Sequence, residues 1–396
     1  MRLSLCMIVR DEEATLRRCL DSVRGVVDEI IVVDTGSRDR TIAIAKDCKA
    51  SVYPFTWYDD FAAARNESLK YAQGDWILVL DADEVLVPES VPALQQAMQL
   101  DDAIAIALLR EEVGTHHPDS QLSRMFRRHP AITFTRPYHE LIDDSVTRLL
   151  QQEPHWRVVA LPDIAIQHTG YQAASIDQRH KVERARAIME RYHTAHPDDA
   201  YICSKLGALY IDSGDLARGL ALLQQGLETA TEAAVLYELH YHLGSFYGQQ
   251  QQLDQAAWHY EAAIAQPLPQ RLQLGAYNNW GNVLKEQGDL VKAKALYETT
   301  IAIDPIGAVG YYNLGLTLKA MGQLQDAIVQ YQRAIQLQPS YAAAHQNLGV
   351  ALLKAGNVVA SLEAFKQAIA LYEQQQAPEA AHLRDALKQM GLLGSV

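Results

Sequence analysis

Residues 78–85 read LVLDADEV, an apolar run followed by three carboxylates within four positions. The residues before them extend the run to WILVL, which is typical of a strand buried on both faces. Carboxylates held this close repel one another and raise each other's pKa unless a cation neutralises them. Because oxygen-rich clusters suit the hard cations Mg²⁺ and Mn²⁺, the stretch predicts a divalent-metal site at the end of a strand.

A structural interpretation of the same carboxylates is also open. In that case Asp81 or Asp83 caps the helix that begins in VPESVPAL, and Glu84 is solvated. The DAD triplet alone does not decide between a metal site and a helix cap, so the decision depends on the surrounding motifs.

The chain upstream predicts the start of a parallel α/β sheet. LSLCMIV (3–9) and EIIVVD (29–34) have the pattern of buried strands, and ATLRRCLDSV between them places its apolar residues on one helical face. A second helix is expected from Ser37 or Asp39, where GSRDRT offers capping side chains. A short strand at SVYPF and a helix over 61–73 then lead into WILVL. This order of elements predicts a Rossmann-like α/β domain.

Carboxylates follow two of these predicted strands. Asp34 ends one strand, and Asp81 and Asp83 follow another. Open α/β sheets bind ligands at the carboxyl ends of their strands. We therefore expect the three carboxylates to lie together at one edge of the sheet.

Length and composition limit the possible classes of protein. The 396 residues exceed what one core usually fills, so two domains are expected. No run approaches the ~18 apolar residues of a membrane span, and LSLCMIV is too short for an export signal. We therefore expect no integral membrane segment and a cytoplasmic location. The four cysteines lack the CxxC or CxxH spacing of zinc sites and are expected to be buried thiols.

The net charge is negative and unevenly distributed. From residue 200 onward, 12 Lys and Arg stand against 16 Asp and Glu, a net −4, which leaves −9 of the total −13 in the N-terminal half. Such a balance repels nucleic acid backbones and favours a cation or a positively charged partner. We expect no nucleic acid ligand.

From residue 200 onward one pattern recurs every 34 residues, and its clearest unit is AVGYYNLGLTLKAMGQLQDAIVQYQRAIQLQPSY (308–341). The positions of its small and large residues resemble those of tetratricopeptide repeats, which implies an all-α solenoid. We count five repeats over 200–375. The connector 171–199, with a helix at 174–194, and a final helix in 376–396 are expected to cap the two ends, since terminal repeats need covering. Such arrays bind peptides or proteins, or else act as rigid spacers or dimerisation modules, so a homodimer is possible.

The N-terminal half carries a resemblance that spans several motifs. SLCMIVRDEEATLRRCLDSVRGVVDEIIVVDTGSRDRT, and then WYDDFAAARNESLKYAQGDWILVLDADE, resemble family-2 glycosyltransferases in order and spacing. The resemblance implies an α/β nucleotide-sugar domain of the GT-A fold over residues 1–170. Arg10 and Asp11 depart from the family pattern, since Lys and Asn are common there.

The resemblance also implies roles for single residues. Asp34 would bind the uracil ring, and Asp83 would ligate the Mn²⁺ or Mg²⁺ that bridges the diphosphate of a UDP-sugar. Asp81 would touch the ribose or a metal-bound water and is a second candidate ligand. A bound metal would neutralise the charge of the leaving diphosphate. The other residues expected at the donor are Val9, Asp11, Arg65, Asn66 and Arg124.

Arginines in SRMFRRH could add positive charge near the leaving group. They are Arg124, Arg127 and Arg128. The alternative is ordinary surface charge on a half-exposed strand.

An inverting transfer needs a general base, which is normally a carboxylate across from the leaving group. RPYHELID (136–143) follows a predicted strand at TFT and resembles the His-Glu element of a subset of these enzymes. Glu140 is the expected base and Asp143 the second candidate; a solvated loop acid beside a packed His139 is the alternative. His168, at the end of the strand DIAIQ, resembles the C-terminal metal ligand of many GT-A enzymes, although a lone histidine can simply be packed.

Together these features predict an inverting, metal-dependent glycosyltransferase that moves a sugar from a UDP-sugar to a peptide or protein acceptor. The domain combination resembles bacterial peptide glycosyltransferases of the sublancin type, in which the repeats bind the acceptor or mediate dimerisation. One alternative is a lipopolysaccharide-core or exopolysaccharide acceptor. Another is an inert scaffold, which the retained carboxylates disfavour because like charges held together are costly.

Overall fold

The computed structural model describes residues 1–113, 120–169 and 175–392. The chain divides into two compact units, Met1–Thr229 and Ala230–Val396. An α/β sheet domain lies in the first unit, and helical repeats fill the second. The predicted fold class, an α/β nucleotide-sugar domain followed by an all-α repeat array, is confirmed. The boundaries expected at 170, 199 and 375 stay predictions.

Eight strands form one mixed sheet in the first unit. They are β1 (Leu3–Val9), β2 (Glu29–Asp34), β3 (Ser51–Pro54), β4 (Trp76–Val79), β5 (Glu84–Leu86), β6 (Ala103–Glu112), β7 (Ser120–Arg127) and β8 (Arg157–His168). Their order across the sheet is β3-β2-β1-β4-β7-β6-β8-β5.

The strand directions bring many carboxyl ends to one side of the sheet. β1 to β4 pair in parallel, β7 is antiparallel to both β4 and β6, and β8 is parallel to β6. Because two reversals separate β4 from β6, these two strands and β8 run in the same direction. The ends of β1, β2, β4, β6 and β8 therefore form one edge, which we call the carboxyl edge.

Helices flank the sheet and continue beyond it within the first unit. They are α1 (Leu16–Ser22), α2 (Thr41–Asp47), α3 (Phe61–Leu69), α4 (Val91–Met98), α5 (Asp143–Gln152), α6 (Ser175–Ala195), α7 (Ala200–Asp212) and α8 (Leu216–Thr229). The helices of the second unit are α9 (Ala233–Gln249), α10 (Leu253–Ile264), α11 (Leu274–Gln287), α12 (Leu290–Ile303), α13 (Ala308–Ala320), α14 (Leu324–Leu337), α15 (Ala342–Lys354), α16 (Val358–Gln374) and α17 (Glu379–Gln389). Among the described residues, no helix combines the length and the apolar character needed to span a membrane.

Apolar periodicity predicted most of these elements. α1 buries Leu16, Cys19 and Leu20 against the sheet, and the first two strands have the expected bounds. Two predictions were wrong in detail. α2 begins at Thr41 rather than at Ser37 or Asp39. Asp39 lies in the turn before the helix, where its Oδ1 accepts a hydrogen bond from the backbone N–H of Thr41 at 2.9 Å.

The strand expected at TFT, residues 133–135, does not form. Only an isolated bridge joins Thr135 to Leu141. The reason lies in Asn66, whose side-chain amide accepts from the Phe134 N–H at 2.8 Å and donates to the Phe134 carbonyl at 2.9 Å. A side chain thus takes the hydrogen bonds that a neighbouring strand would otherwise provide.

The four cysteines are free thiols, as predicted. Cys6, Cys19 and Cys203 are buried, whereas Cys48 is half-buried. Burial raises the pKa of the Cys6 thiol to about 12. A buried thiol with a raised pKa is a poor nucleophile, so Cys6, Cys19 and Cys203 act as small apolar side chains.

Residues 200–374 form five consecutive helix pairs, from α7–α8 to α15–α16. Within each of the last three pairs, a glycine on the first helix lies against an aromatic ring of the second. A Cβ on Gly315 would meet Cε1 of Tyr331 at 2.6 Å, and one on Gly349 would meet the Phe365 ring at 2.7 Å. This close approach explains why the pattern recurs every 34 residues.

Gly315→Ala should therefore destabilise the repeats by about 1–3 kcal/mol, because the new methyl group must displace a buried ring. Gly248→Ala is a matched control, since its Cβ would meet only the Ala256 Cβ at an ordinary 3.9 Å. The control should be neutral or stabilised by up to about 1 kcal/mol through helix propensity. Urea unfolding followed by circular dichroism measures both, and equal stabilities would contradict this packing account.

Candidate active site

Nine charged side chains form a continuous network along the carboxyl edge. In order they are Glu140, Arg65, Asp81, Arg124, Glu84, Arg110, Glu112, His168 and Asp83, joined by contacts of 2.5–3.6 Å. Five carboxylates thus stand against three guanidinium groups and one imidazole. The carboxyl-edge network has a net charge of −1 with His168 protonated, and of −2 with His168 neutral, the form that a bound metal ion would require.

Asp81 lies at the centre of the carboxyl-edge network, directly after β4. Oδ1 accepts from Arg65 Nη2 at 2.5 Å, and Oδ2 accepts from Arg124 Nη2 at 2.8 Å. Burial opposes ionisation of this carboxyl group, but the charges of Arg124 and Arg65 outweigh it and hold the pKa of Asp81 well below its usual range. Both oxygens of Asp81 are therefore engaged by arginines, which sets this residue apart from the other predicted metal ligands.

Glu84 is fully buried at the start of β5, so the solvated carboxylate that the structural interpretation required is not present. Its Oε2 accepts from the backbone N–H of Asp81 at 2.8 Å, which closes the DADE turn. Its Oε1 accepts from Arg110 Nη1 at 3.0 Å and lies 3.6 Å from Arg124. A buried carboxylate is stable here because two guanidinium groups compensate its charge.

Asp83 and His168 lie side by side at the far end of the carboxyl-edge network. His168 Nε2 lies 3.0 Å from Asp83 Oδ2, and Nδ1 lies 2.6 Å from Glu112 Oε2. The hydrogen bonds to Asp83 and Glu112 raise the pKa of His168 to about 10. The predicted ligand pair is thus brought together, 85 residues apart in sequence.

The Asp83–His168 pair fits a divalent cation. Two neighbouring ligands of an octahedral Mg²⁺, each about 2.1 Å from the ion, lie about 3.0 Å apart. Glu112 would fix the imidazole from its other side, as acids commonly do behind metal-bound histidines. The described residues contain no group of three or more ligands arranged around one point. Such an ion would therefore take its remaining ligands from phosphate oxygens and water, which is common for Mg²⁺.

The loops after β1 and β2 meet through the predicted nucleotide-binding residues. Asp34 is buried and accepts from the backbone N–H groups of Gly36 and Ser37 at 3.1–3.2 Å. Asp11, with a φ of 55°, accepts from the Arg38 N–H at 2.7 Å. The carbonyl of Val9 accepts from the Thr35 N–H at 3.0 Å. These hydrogen bonds hold the two loops in a defined conformation. The expected contact of Asp34 with the uracil ring stays a prediction.

Helix α3 connects the donor side of the edge to the predicted base. Arg65 is 4% exposed, and its Nε donates to Glu140 Oε1 at 2.5 Å. Asn66, one residue on, holds the backbone of Phe134 with its amide. Both residues expected to line the donor pocket therefore also position the segment that carries Glu140.

Glu140 and Asp143 have different surroundings. Glu140 is 11% exposed and paired with Arg65 in the carboxyl-edge network. Asp143 begins α5 and accepts from the Ser123 hydroxyl at 2.9 Å. Burial raises the pKa of Asp143 above its ordinary value. Only Glu140 is joined to the network that contains Asp81, which favours it over Asp143 as the base.

Asp143→Asn should leave the protein at least as stable as the wild type at about pH 7. A carboxyl group whose pKa is raised by folding contributes stability below its unfolded pKa and loses that contribution as the pH rises through the folded pKa. The advantage of the variant should therefore shrink toward pH 4. Urea unfolding of the variant and the wild type at pH 7 and at pH 4 measures this difference in stability. Asp144→Asn, which breaks a 2.8 Å ion pair with Arg136, should destabilise instead, and a destabilised Asp143→Asn at pH 7 would contradict the assignment.

Two of the three candidate arginines are not at the carboxyl edge. Arg127 Nε donates to the Ala103 carbonyl, and Arg128 Nε donates to the Gly74 carbonyl. Because β7 is antiparallel to β4, it brings Arg124 to the carboxyl edge and carries Arg127 and Arg128 toward the opposite edge. A donor-facing role for these two residues is therefore wrong in this geometry.

Sequence reasoning missed Arg110 and Glu112. They end β6 in the stretch AIAIALLREE, an apolar run followed by charges, which is the same signal as LVLDADE. The signal was available, but their partners Glu84 and His168 lie in other strands. Ion pairs between side chains on different strands cannot be predicted from a single sequence.

The residues that carry this site match a known family. Residues 4–159 match the family model described as glycosyl transferase family 2. Residues 296–329 and 317–356 match tetratricopeptide repeat models. Both matches fall where the corresponding folds lie in the structure.

Curated relatives divide into one long match and several shorter ones. A TPR repeat-containing protein of Synechococcus elongatus is 47% identical over 306 residues, which cover 77% of this chain and 76% of that protein. The glycosyltransferase SunS of Bacillus subtilis is 27% identical over 204 residues, covering 49% of this chain and 45% of SunS. An uncharacterised glycosyltransferase of Rickettsia felis is 30% identical over 139 residues, covering 35% of this chain and 48% of that protein. The chain thus spans about half the length of the two relatives named as glycosyltransferases.

Among solved structures, similarities are found to repeat proteins. The crystal structure of YrrB, a TPR protein with an unusual peptide-binding site, superposes with a TM-score of 0.41 and 20% identity, covering 51% of this chain and all of that chain. MamA from Desulfovibrio magneticus gives a TM-score of 0.40 and 21% identity over 46% of this chain and 98% of its own.

Proposed function

We propose that this glycosyltransferase, in which a glycosyl transferase family 2 domain is followed by tetratricopeptide repeats, moves a sugar from a UDP-sugar to a peptide or protein acceptor. The transfer proceeds with inversion and with a divalent metal ion. The observation that carries the proposal is the carboxyl-edge network. It joins a ligand pair for the metal, Asp83 and His168, to a carboxylate suited to act as base, Glu140.

Asp83 and His168 would hold the metal, and Glu112 would orient the imidazole. Mn²⁺ or Mg²⁺ at this place would neutralise the charge that develops on the leaving diphosphate. Arg124 adds fixed positive charge nearby, since it is only 14% exposed and already points at Asp81. These residues together favour departure of the nucleoside diphosphate.

Glu140 would accept the proton of the acceptor nucleophile. Arg65 holds its carboxylate in one orientation with a 2.5 Å bond from Nε. In the described part of the chain, the buried Nη1 of Arg65 has no hydrogen-bond partner. An unsatisfied buried N–H is costly, and a phosphate or sugar oxygen of the bound donor would satisfy it. The same arginine would then place the donor relative to the base.

The loops after β1 and β2 would bind the nucleoside. Asp34 and Asp11 shape these loops by accepting backbone N–H groups. Their carboxylates carry further lone pairs that can accept from a uracil N–H or a ribose hydroxyl. We therefore assign Val9, Asp11 and Asp34 to the nucleoside side of the site.

The acceptor is assigned from the repeats. Five helix pairs present far more surface than a small sugar acceptor would contact, whereas repeat arrays of this kind bind extended peptides. We propose that the repeats bind the acceptor or bring two copies of the chain together.

A transfer assay tests this proposal. The purified protein is mixed with a panel of UDP-sugars, Mn²⁺ and a library of synthetic peptides that contain Ser, Thr or Cys, and products are weighed by mass spectrometry. We expect one peptide class to gain the mass of one sugar, and EDTA to prevent it. Transfer to a lipopolysaccharide-core oligosaccharide, with none to any peptide, would instead support the glycan acceptor.

A further inference from the structure

Three lysines lie near the ends of the first helices of three successive helix pairs in the second unit. They are Lys285 on α11, Lys319 on α13 and Lys354 on α15, spaced by 34 and 35 residues. We call them the lysine row. The α11–α13 and α13–α15 contacts make these helices neighbours. The 34-residue spacing places Lys285 and Lys319 on the same face of their helices, whereas the extra residue turns Lys354 by about 100° around α15.

The lysine row is unusual because its charges are poorly solvated. Lys285 and Lys319 are half-buried, and burial lowers the pKa of both. The charges of Lys354 and Lys285 lower the pKa of Lys319 further. Lysine side chains normally keep their ammonium groups in water, so this arrangement is unfavourable in the protein alone.

Carboxylates do not compensate the lysine row. Within the part of the chain that the structure describes, no carboxylate oxygen lies within 4 Å of these three ammonium groups, and Glu286 only offsets part of the effect at Lys285. Lys319 Nζ donates instead to Asn347 Oδ1 at 2.6 Å, and Asn347 Nδ2 donates to the Tyr312 hydroxyl at 3.2 Å. An amide therefore orients the central lysine without neutralising it.

Three of the other four lysines on the second unit's helices differ. Lys292, Lys294 and Lys366 lie on the second helices of their pairs, and each forms an ion pair with Asp or Glu at 3.2–3.7 Å. The second unit is itself acidic, with 10 Lys and Arg against 13 Asp and Glu after residue 229. Among the described residues, Lys285 and Lys319 are half-buried and lack a carboxylate partner, which needs an explanation beyond average composition.

Interaction with helix dipoles explains only part of the arrangement. All three lysines lie in the last turn of their helices, where a positive charge is favourable. That effect operates on exposed side chains and requires neither burial nor mutual approach. A bound anion explains both features, because it neutralises the repulsion and replaces lost water.

We propose that the lysine row binds an acidic segment of a peptide. Neighbouring helices pack about 8–10 Å apart, and an extended chain advances about 3.3 Å per residue, so acidic side chains about three residues apart match the row. This inference deepens the proposed function, since the bound peptide would be the acceptor. It is tested without donor or metal, so it can fail or succeed independently of sugar transfer.

The test is fluorescence polarisation with the full chain and a labelled peptide in which every third residue is glutamate, the others being glycine and serine. We expect Lys285→Gln/Lys319→Gln to raise the Kd about tenfold and the exposed Lys354→Gln to raise it about threefold. The control pair Lys292→Gln/Lys366→Gln, which removes the same charge from the second helices, should change the Kd less than twofold. The same peptide with glutamine for glutamate should not bind.

Thermal unfolding separates a binding defect from a folding defect. Because the substitutions remove repulsion between lysines, the double variant should unfold at the wild-type temperature or above it. The proposal is overturned if the wild-type chain does not bind the glutamate peptide, or if the control pair weakens binding as much as the row variants do. It is also overturned if a single-stranded oligonucleotide of equal charge binds as tightly as the peptide.

Discussion

Asp83→Asn should lower the Mn²⁺-dependent rate of sugar transfer by at least about a hundredfold. A metal ion at a leaving diphosphate supplies several kcal/mol of charge stabilisation, and each 1.36 kcal/mol is worth a factor of ten. Asparagine keeps the size of the side chain but removes the charge that pairs with His168. The measurement is initial rate against Mn²⁺ concentration, in which the variant should also need far more metal.

Asp102→Asn is the matched control for this change. Asp102 precedes β6 at the edge opposite the network and forms an exposed ion pair with Arg157 at 2.8 Å. Loss of an exposed pair changes the stability little and should leave the rate within twofold of the wild type. An Asp83→Asn variant that keeps the wild-type rate and the wild-type Mn²⁺ dependence would remove Asp83 from the site.

Glu140→Gln should reduce kcat by a factor of about 10²–10⁴, the usual contribution of a positioned general base. The KM for the donor should change little, because glutamine still accepts the hydrogen bond from Arg65 Nε. Steady-state kinetics with saturating acceptor and variable donor measure the two quantities separately.

Asp143→Asn decides between the two carboxylates. If Glu140 is the base, this variant keeps kcat within a few-fold of the wild type, because Asp143 bonds to Ser123 and lies outside the carboxyl-edge network. A large loss of kcat in Asp143→Asn, together with a nearly normal kcat in Glu140→Gln, would make Asp143 the general base instead of Glu140.

Patterns local in sequence predicted the fold well. Continuous apolar runs marked β1, β2 and β4, and the 34-residue period marked the helix pairs, since glycine and aromatic residues must recur for the helices to pack. The charged residues after WILVL lie at the carboxyl edge of the sheet, as expected, while the site that they would form stays a prediction. Each of these signals depends on neighbours within one element or one repeat.

Pairing between distant side chains was less predictable. The sequence indicated Arg65 as a donor-pocket residue, but the guanidinium bridges Asp81 and Glu140, 16 and 75 residues away. The alternative interpretation of the acidic turn placed Glu84 in solvent, yet Arg110 from β6 allows it to be buried. The strand order decides which arginine lies beside which carboxylate. The antiparallel position of β7 beside β4 could not be deduced from the periodicity of the sequence.

The most direct test of the account is release of nucleoside diphosphate by the wild-type protein from a panel of nucleotide sugars, with Mn²⁺ or with EDTA. The account predicts release from one UDP-sugar that is lost with EDTA and restored by added Mn²⁺. Release that is equal with EDTA, or that occurs only from donors without uridine, would contradict the metal and nucleoside assignments made at the carboxyl edge.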